Sequence, residues 1–587
     1  MTIPRNISLI ILSLLCYDDA RSQQAFQEIA LSAGIDYQHV GFMYIGGIAL
    51  CDFDGDGSED FYITNGAGSP NQLYLNNKDG TFSEVGQESG VADLSEGWGA
   101  VCSDIDNDGD ADIYLTNYFG ENKLFLNNGA AVFYDATEEA GVGDTGPSTS
   151  AALMDFDNDG NLDIYVLNRS QAIIDYANRL YRNNGDGTFS DVTESSGTGY
   201  MGTDLAVGVF DYDNDNYPDI YVVTEFGRDA LYHNNGDGTF TNLAAELNIP
   251  VGAGMGVDFS DYDNDGDIDI YVSNLARDFL FTNNGDGTFE DSGERLGILN
   301  KTMAWGVNFF DYDNDGDEDI YVVNGAMSWD SLYSEVNVFY KNKGTSGFSE
   351  IASSIGLADA GDGRASICAD FNDDGYGDLL FINVLRSELK LFINPNSGNN
   401  WIKVKLEGTE SNRSGVGAKI KVESGGITQY KEVAAGASFA SMNSLVIGFG
   451  LGKAETVDNI TVYWPSGVIQ EFSDIAVNRV LRINESAGFI VSAEKIMELP
   501  RSYLLSQNYP NPFNPVTTIN YELPIYGEVK ISIFNLSGDT VALLDGGMQS
   551  AGSHQLSWDA SEQPSGIYFY RLLSGNFSQT RKMLLIK

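Results

Sequence analysis

Only three histidines, four cysteines and 32 basic residues occur among 587. Each scarcity closes a class of function. Against 85 acidic residues the basic ones leave a net charge of -53, which excludes the basic footprint of a nucleic-acid binder. Cys51, Cys102 and Cys368 each lie one or two residues before an acidic loop, and Cys16 lies in an N-terminal leader. That spacing makes neither a disulfide framework nor a zinc site, so these three read as buried thiols acting as small hydrophobes. Among the histidines, His233 takes a strand position that sister segments give to Arg182 and Thr282, and His554 lies near the C-terminus. His39 enters the first repeat and is the one placed to face a ligand. No nucleophile elbow, zinc-protease helix or phosphate-cradling glycine motif is present. Acid pairs are so abundant that a glycosidase dyad stays open.

Long apolar runs are equally scarce. Ile7 to Leu15, preceded by Arg5 and followed by Ala20-Arg21-Ser22, forms a secretory signal over residues 1–22 and is too short to span a membrane as a mature helix. Leu14 and Leu15 stand before Cys16 where a lipoprotein signal wants small residues. No other run is long enough to cross, so no transmembrane segment is expected in the mature chain.

What is abundant is one nine-residue pattern, clearest at Asp311 to Asp319, with carboxylates at positions 1, 3, 5 and 9 and Gly316 at the sixth. Alternate carboxylates in a tight loop suit a hard cation that takes six to eight oxygens. β-Branched and aromatic residues follow at once, the signal of a strand. An EF-hand needs a glutamate at position 12. The seven copies have Ile63, Leu115, Val166, Val222, Val272, Val322 and Phe381 there, so the ligand set closes at position 9.

The loops begin at Asp52, Asp104, Asp155, Asp211, Asp261, Asp311 and Asp370, 50 to 59 residues apart. Each is entered by a Gly/Ala-rich apolar strand and left by an Ile-Tyr-Val type strand. A variable connection leads to a third strand and a turn such as Asn183 to Gly187, and a short outer strand begins at a phenylalanine and runs to a glycine, as in Phe82 to Gly90. Four short strands per period read as a propeller blade. Seven loops are followed by only six outer strands, and an orphan copy, Phe26 to Gly34, precedes the first loop. A ring closed by that N-terminal strand leaves no open edge. The expected fold is therefore all-β: a seven-bladed propeller over 23–397, then a small β-domain and a C-terminal Ig-like β-sandwich.

The repeat resembles the FG-GAP or VCBS repeats of integrin α-chain propellers, whose loops bind calcium. The resemblance implies up to seven structural Ca2+ ions. By that analogy the side chains of positions 1, 3, 5 and 9 and the carbonyl of position 7 are ligands. The side chains are Asp52, Asp54, Asp56 and Asp60; Asp104, Asp106, Asp108 and Asp112; Asp155, Asp157, Asp159 and Asp163; Asp211, Asp213, Asp215 and Asp219; Asp261, Asp263, Asp265 and Asp269; Asp311, Asp313, Asp315 and Asp319; and Asp370, Asn372, Asp374 and Asp378. The fourth loop has Asn216 in place of the glycine, a residue that tolerates the left-handed turn. Asn372 makes the seventh loop one charge poorer.

On the face opposite the loops, the connections between second and third strands carry Arg169, Arg228, Arg277 and Arg386, and the longest carries Trp329. These five are the candidate ligand-binding residues, the arginines as an anion-binding ring. Local pairing with Asp229 and Asp278, which directly follow two of them, is the plainer reading.

Residues 398–485, with Trp401 to Gly408, Phe449 to Gly452 and Val462 to Gly467 as landmarks, resemble the ASPIC/UnbV domain of cartilage acidic proteins and bacterial relatives. Some of those relatives are linked to enediyne pathways. Residues 486–504 read as a linker. The segment 505–587 opens with Gln507 to Pro515, whose prolines imply an extended lead-in without ladder partners. Strands are expected at Thr517–Leu523, Val529–Asn535, Val541–Leu544, Gly552–Trp558, Gly566–Leu573 and Lys582–Ile586. Together with Gly538, His554 and Trp558, this segment resembles the type A sorting domain of type IX secretion in Gram-negative bacteria. The expectation is a secreted or surface-attached calcium-binding propeller that adheres to an extracellular protein or glycan and is handled by type IX secretion machinery. The alternatives are a secreted enzyme, polysaccharide-directed or enediyne-pathway-like, working on the variable face, and a purely structural matrix component.

Overall fold

The computed structural model describes residues 25–40, 46–171, 174–247, 249, 252–326, 335–384, 388–490, 503–523, 527–549, 552–575 and 577–587. The leader, Trp329, Arg386 and most of the 486–504 linker lie outside the described residues.

Seven four-stranded antiparallel sheets follow one another, the first six in sequence order from inner to outer strand. The sixth is typical, with Ala304–Phe310, Asp319–Asn324, Val338–Asn342 and Phe348–Glu350. Its inner strands are buried along their whole length, which is why they read as apolar runs rather than alternating ones. Innermost strands of consecutive sheets pack together, and those of the first and last sheets meet. The seventh sheet takes its outer strand from the N-terminus: Gln27 pairs with Ile393 and Glu28 with Phe392. The ring is closed as the strand count requires.

The recurring Phe-to-Gly pattern has a physical origin. After five of the outer strands one helical turn, such as Gly86–Ser89, ends on a left-handed glycine, where φ > 0 favours glycine. A Cβ on Gly90 would stand 3.0 Å from the Phe133 carbonyl of the next blade, and one on Gly34 would stand 3.0 Å from that of Phe82. Gly356 makes the corresponding approach to Phe26, at 3.3 Å, so the chain of contacts also closes on the N-terminal strand.

Residues 400–490 form two four-stranded sheets around Ile402, Val404, Ile420, Val422, Phe449 and Ile460. Asn400–Glu407 pairs in parallel with Val480–Asn484. Gly488–Ile490 adds a strand to that sheet, so this module runs a few residues past 485. The C-terminal sandwich has a three-stranded sheet, Leu504–Leu505, Val516–Leu523 and Gly552–Asp559, over a four-stranded one. The proline-rich lead-in is not without partners. Tyr509 and Thr518 exchange N–H···O bonds of 2.9 and 3.0 Å, and Phe513 donates to Leu584 and accepts from Ile586. Both residues stand next to prolines, and their own N–H groups remain available for pairing.

The second module rests on the loop face of the propeller. A segment from Ala435 to Met442 enters the central channel, where Ala435 bridges to Leu153, Ser438 to Val257 and Met442 to Ala49. Its tip buries Phe439 and Ala440 among Trp98, Leu205, Met255 and Trp305.

Candidate metal centres

Each acidic loop is a hairpin tip whose ninth residue is in ladder register with the residue before the loop, as Asp319 is with Phe310. In the sixth loop the first aspartate organises the turn. Asp311 accepts from the Asp315 N–H at 3.0 Å through Oδ1 and from the Gly316 N–H at 2.7 Å through Oδ2. Position 6 is left-handed throughout, including Asn216 at φ 71°, so the fourth loop keeps its turn. Position 4 is left-handed as well, at Gly55, Asn107, Asn158, Asn214, Asn264, Asn314 and Asp373, a requirement that sequence reading missed. The signal was the asparagine recurring between the third and fifth carboxylates. Its side chain also reaches the next loop: Asn107 donates to the Gly160 carbonyl at 3.1 Å, Asn158 to that of Asn216 at 3.0 Å, and Asn314 to that of Gly375 at 3.0 Å. Ser58 Oγ and Asp373 join the seventh loop to the first at 3.2 Å.

The ninth aspartate accepts two backbone N–H groups in every loop. Asp112, for example, accepts from Ile105 at 2.9 Å and from Asn127 of the third strand at 2.8 Å. Burial pushes these carboxyls up, to about 8 for Asp60 and Asp112 and about 9 for Asp219, with neighbouring loop carboxylates adding to the rise. Asp104, Asp155 and Asp261 at position 1 are raised to about 7, again chiefly by burial.

Carboxylate oxygens converge within each cluster. One oxygen from each of Asp52, Asp54 and Asp60 lies within 4.8 Å of the others, and the same holds for Asp104, Asp106 and Asp108, for Asp155, Asp157 and Asp163, and for Asp211, Asp213 and Asp215. Asp52 Oδ1, Asp104 Oδ1, Asp157 Oδ1 and Asp313 Oδ1 are buried without a hydrogen-bond donor. Such oxygens are costly to bury unless a cation or donor meets them. An all-oxygen, carboxylate-rich donor set on a turn suits Ca2+ better than Mg2+, which demands near-ideal octahedral geometry.

Sequence reading also missed the cations that the second module places on this face. Lys403 pairs with Asp370, Lys405 lies 3.4 Å from Asp52 Oδ2, Lys419 lies 2.7 Å from Asp211 Oδ2 and Arg413 lies 3.8 Å from Asp104 Oδ2. All four address the first loop position through its Oδ2. The signal lay in the alternation of Trp401 to Leu406, since period two puts Ile402 and Val404 in the core and both lysines on the other face. Between module and loops lies a cavity of about 240 Å³, lined in part by Glu59, Asp258, Lys403, Lys431 and Glu432. Burial raises Glu59 and Asp258 to about 7 and Glu432 to about 8.

Among the described residues, the arginines of the opposite face do not act as one group. Arg169 pairs with the buried Glu225, and Arg277 pairs with Asp291 and lies 4.3 Å over the Phe279 ring. Arg228 is exposed. Asp229 and Asp278 turn inward instead of pairing with the preceding arginines. Asp229 accepts from the Thr224 N–H at 2.9 Å and the Tyr221 hydroxyl at 3.1 Å. His39 is buried, with Nδ1 3.0 Å from the Tyr37 hydroxyl.

Comparisons with known proteins agree with this geometry. The FG-GAP-like repeat family matches residues 52–115, 104–166, 170–222, 211–272 and 261–322. The ASPIC and UnbV family matches 408–489, and the secretion system C-terminal sorting domain matches 507–587. The chain is homologous to cartilage acidic protein 1, at 27% identity over 474 residues for the Homo sapiens protein and 26% over 461 for that of Mus musculus, each alignment covering 74% of this chain. It spans only 62% and 64% of those relatives' own lengths. A solved Agrocybe aegerita lectin specific for non-reducing terminal N-acetylglucosamine aligns at 22% identity and a TM-score of 0.34, over 54% of this chain and 79% of its own. That likeness is too loose to bear on function. The sorting domain marks the chain for secretion or the outer surface by the type IX route, and no helix among the described residues is long and apolar enough to cross a membrane.

Proposed function

We propose that this protein is a calcium-stiffened propeller working outside the cell as an adhesion module for a protein or glycan ligand. The observation that carries the metal reading is the set of converging loop carboxylates with buried, donor-less oxygens. Asp52, Asp54, Asp56 and Asp60 and their counterparts in the other six loops hold the ions. The ions supply the positive charge that these buried carboxylates need to stay ionised. The chain's own residues do the rest: position 1 fixes the turn, position 9 ties the loop to the third strand, and the position 4 asparagines link loops around the ring.

The second module occupies the loop face, so the ligand surface is the opposite one. Its connections expose Phe119, Met201 and Phe226, at 61%, 57% and 62% of their full accessibility, beside the exposed Arg228. Aromatic, apolar and guanidinium groups together serve protein or sugar recognition. The test is binding of the full chain to arrays of glycans and extracellular matrix proteins, in calcium and in chelator. Saturable binding in calcium that falls at least tenfold in a Phe226→Ser/Arg228→Ala variant supports the reading. Binding unchanged by that variant places the ligand elsewhere.

A further inference from the structure

We propose that one strand position weakens calcium binding in the blades where it sets a protein cation among the loop carboxylates, so that the third and sixth loops form a weaker class of site than the fifth. The inference rests on the calcium reading above and specifies which loops hold the ion tightly.

The position is the residue before the asparagine that ends the third strand. That asparagine is fixed, since its N–H bonds to the ninth aspartate, as at Asn183 to Asp163 and Asn342 to Asp319. The preceding residue is therefore in the same place in every blade. Arg182 pairs across to Ser190, His233 to Thr241, Thr282 to Glu290, Lys341 to Ser349 and Leu75 to Ser83. Leu126 and Ile393 complete the set.

In the third blade the Arg182 guanidinium forks between the third and fifth carboxylates, with Nε 2.6 Å from Asp157 Oδ2 and Nη2 2.7 Å from Asp159 Oδ2. In the sixth, the Lys341 ammonium pairs with Asp313, lies 3.2 Å from Asp315 Oδ2 and stands 4.9 Å over the Tyr312 ring. These are permanent charges. In the fourth, His233 Nδ1 lies 3.4 Å from Asp213 Oδ2 and 3.3 Å from Asp219 Oδ1. The fifth blade differs. The Thr282 hydroxyl bonds to Tyr262 and Ser292, both at 2.8 Å, and to no loop carboxylate.

Arg182 and Lys341 use the Oδ2 atoms and leave Asp157 Oδ1 and Asp313 Oδ1 without a donor. Their loops keep an inward oxygen for an ion, but a fixed positive charge within contact distance of the same carboxylates repels a divalent one. The fifth loop shows the opposite case: its strand neighbour is the uncharged Thr282, and among the described residues no ion pair reaches Asp261, Asp263, Asp265 or Asp269. In the second loop the strand neighbour is the uncharged Leu126 and Asp104, only 5% exposed, directs a donor-less Oδ1 into the cluster, but Arg413 of the second module stands 3.8 Å from its Oδ2. The third and sixth loops bind calcium about tenfold or more weakly than the fifth.

Calorimetric calcium titration of the full chain, checked by competition with a chromophoric chelator, tests this. Arg182→Thr/Lys341→Thr, which installs the fifth blade's residue, is expected to move two ions into the tighter class. Thr282→Arg is expected to move one ion out of it, and Arg179→Ala, whose guanidinium pairs 3.1 Å away with Asp191 outside the loop, is expected to change nothing. Unchanged class sizes in both loop variants, each folded by circular dichroism, overturn the two-class proposal while leaving calcium binding intact. No saturable calcium uptake by any form overturns the calcium reading and this proposal together.

Discussion

At the scale of single residues, the ninth loop aspartate serves the backbone as well as the proposed ion. Removing the Asp112 carboxylate leaves the buried N–H groups of Ile105 and Asn127 without acceptors. Asp112→Ala is expected to cost about 2–5 kcal/mol in denaturant unfolding even with calcium in excess, whereas Asp106→Ala in the same loop affects calcium uptake first. Asp229 gives the pH prediction. Burial, with Asp204 adding a like charge, pushes its carboxyl to about 7. A folded-state pKa above the unfolded value means that the native state binds the extra proton. Its contribution is therefore present below the unfolded pKa of about 4 and is lost as pH rises through 7. The corresponding residues in four sister blades are asparagines, such as Asn71 and Asn178, which cap the same strand with 2.6 and 2.8 Å bonds, and in the fifth blade it is Asp278. Asp229→Asn is expected to stabilise the protein by about 1–3 kcal/mol at pH 8, to change little at pH 4, and to flatten the profile between them. Denaturant unfolding across that range measures it. The places of the first and ninth aspartates in each loop were legible because their spacing is itself the signal. The inward turn of Asp229 was not, since sequence neighbours cannot show which face of a connection a side chain takes.

At the scale of elements, the N-terminal strand is the one on which the ring depends. Phe26 is buried, donates its N–H to the Ile355 carbonyl at 2.8 Å and stacks 6.5 Å from Tyr312. Deleting residues 25–35 exposes the Glu388–Ile393 edge, and an unpaired edge recruits other chains. A lower melting temperature and concentration-dependent self-association in light scattering are the expected results. Counting seven loops against six outer strands made this closure legible. The channel segment was not legible, because Ala434 to Ser441 is a run of small residues broken only by Phe439, which reads as an ordinary loop. Its smallness is imposed by the channel: a Cβ on Gly47 would stand 2.3 Å from the Ala440 carbonyl. Phe439→Ala leaves a cavity between Trp98 and Trp305 and is expected to cost about 3–5 kcal/mol.

At the scale of the whole molecule, propeller and second module share the loop face. The contacts there are close: a Cβ on Gly450 would overlap Asp311 Oδ2 at 1.9 Å, and one on Gly375 would overlap the Trp401 ring at 1.8 Å. Lys403→Met/Lys419→Met removes two of the cations that meet first-position aspartates. It is expected to speed hydrogen exchange in residues 433–446 and in the loops at 211 and 370 severalfold, leaving blade cores protected. The family resemblance named this second module from its sequence but gave no way to place it, since docking rests on long-range pairs such as Lys405 with Asp52. The account as a whole turns on whether the loops hold metal. The direct measurement is thermal unfolding of the full chain in calcium and in excess chelator, with calorimetric titration of the stripped protein. The account predicts saturable uptake of several ions and a melting temperature at least about 10 °C higher in calcium. Equal melting temperatures and no saturable heat would contradict it at every scale, because the buried carboxylates would then need another partner.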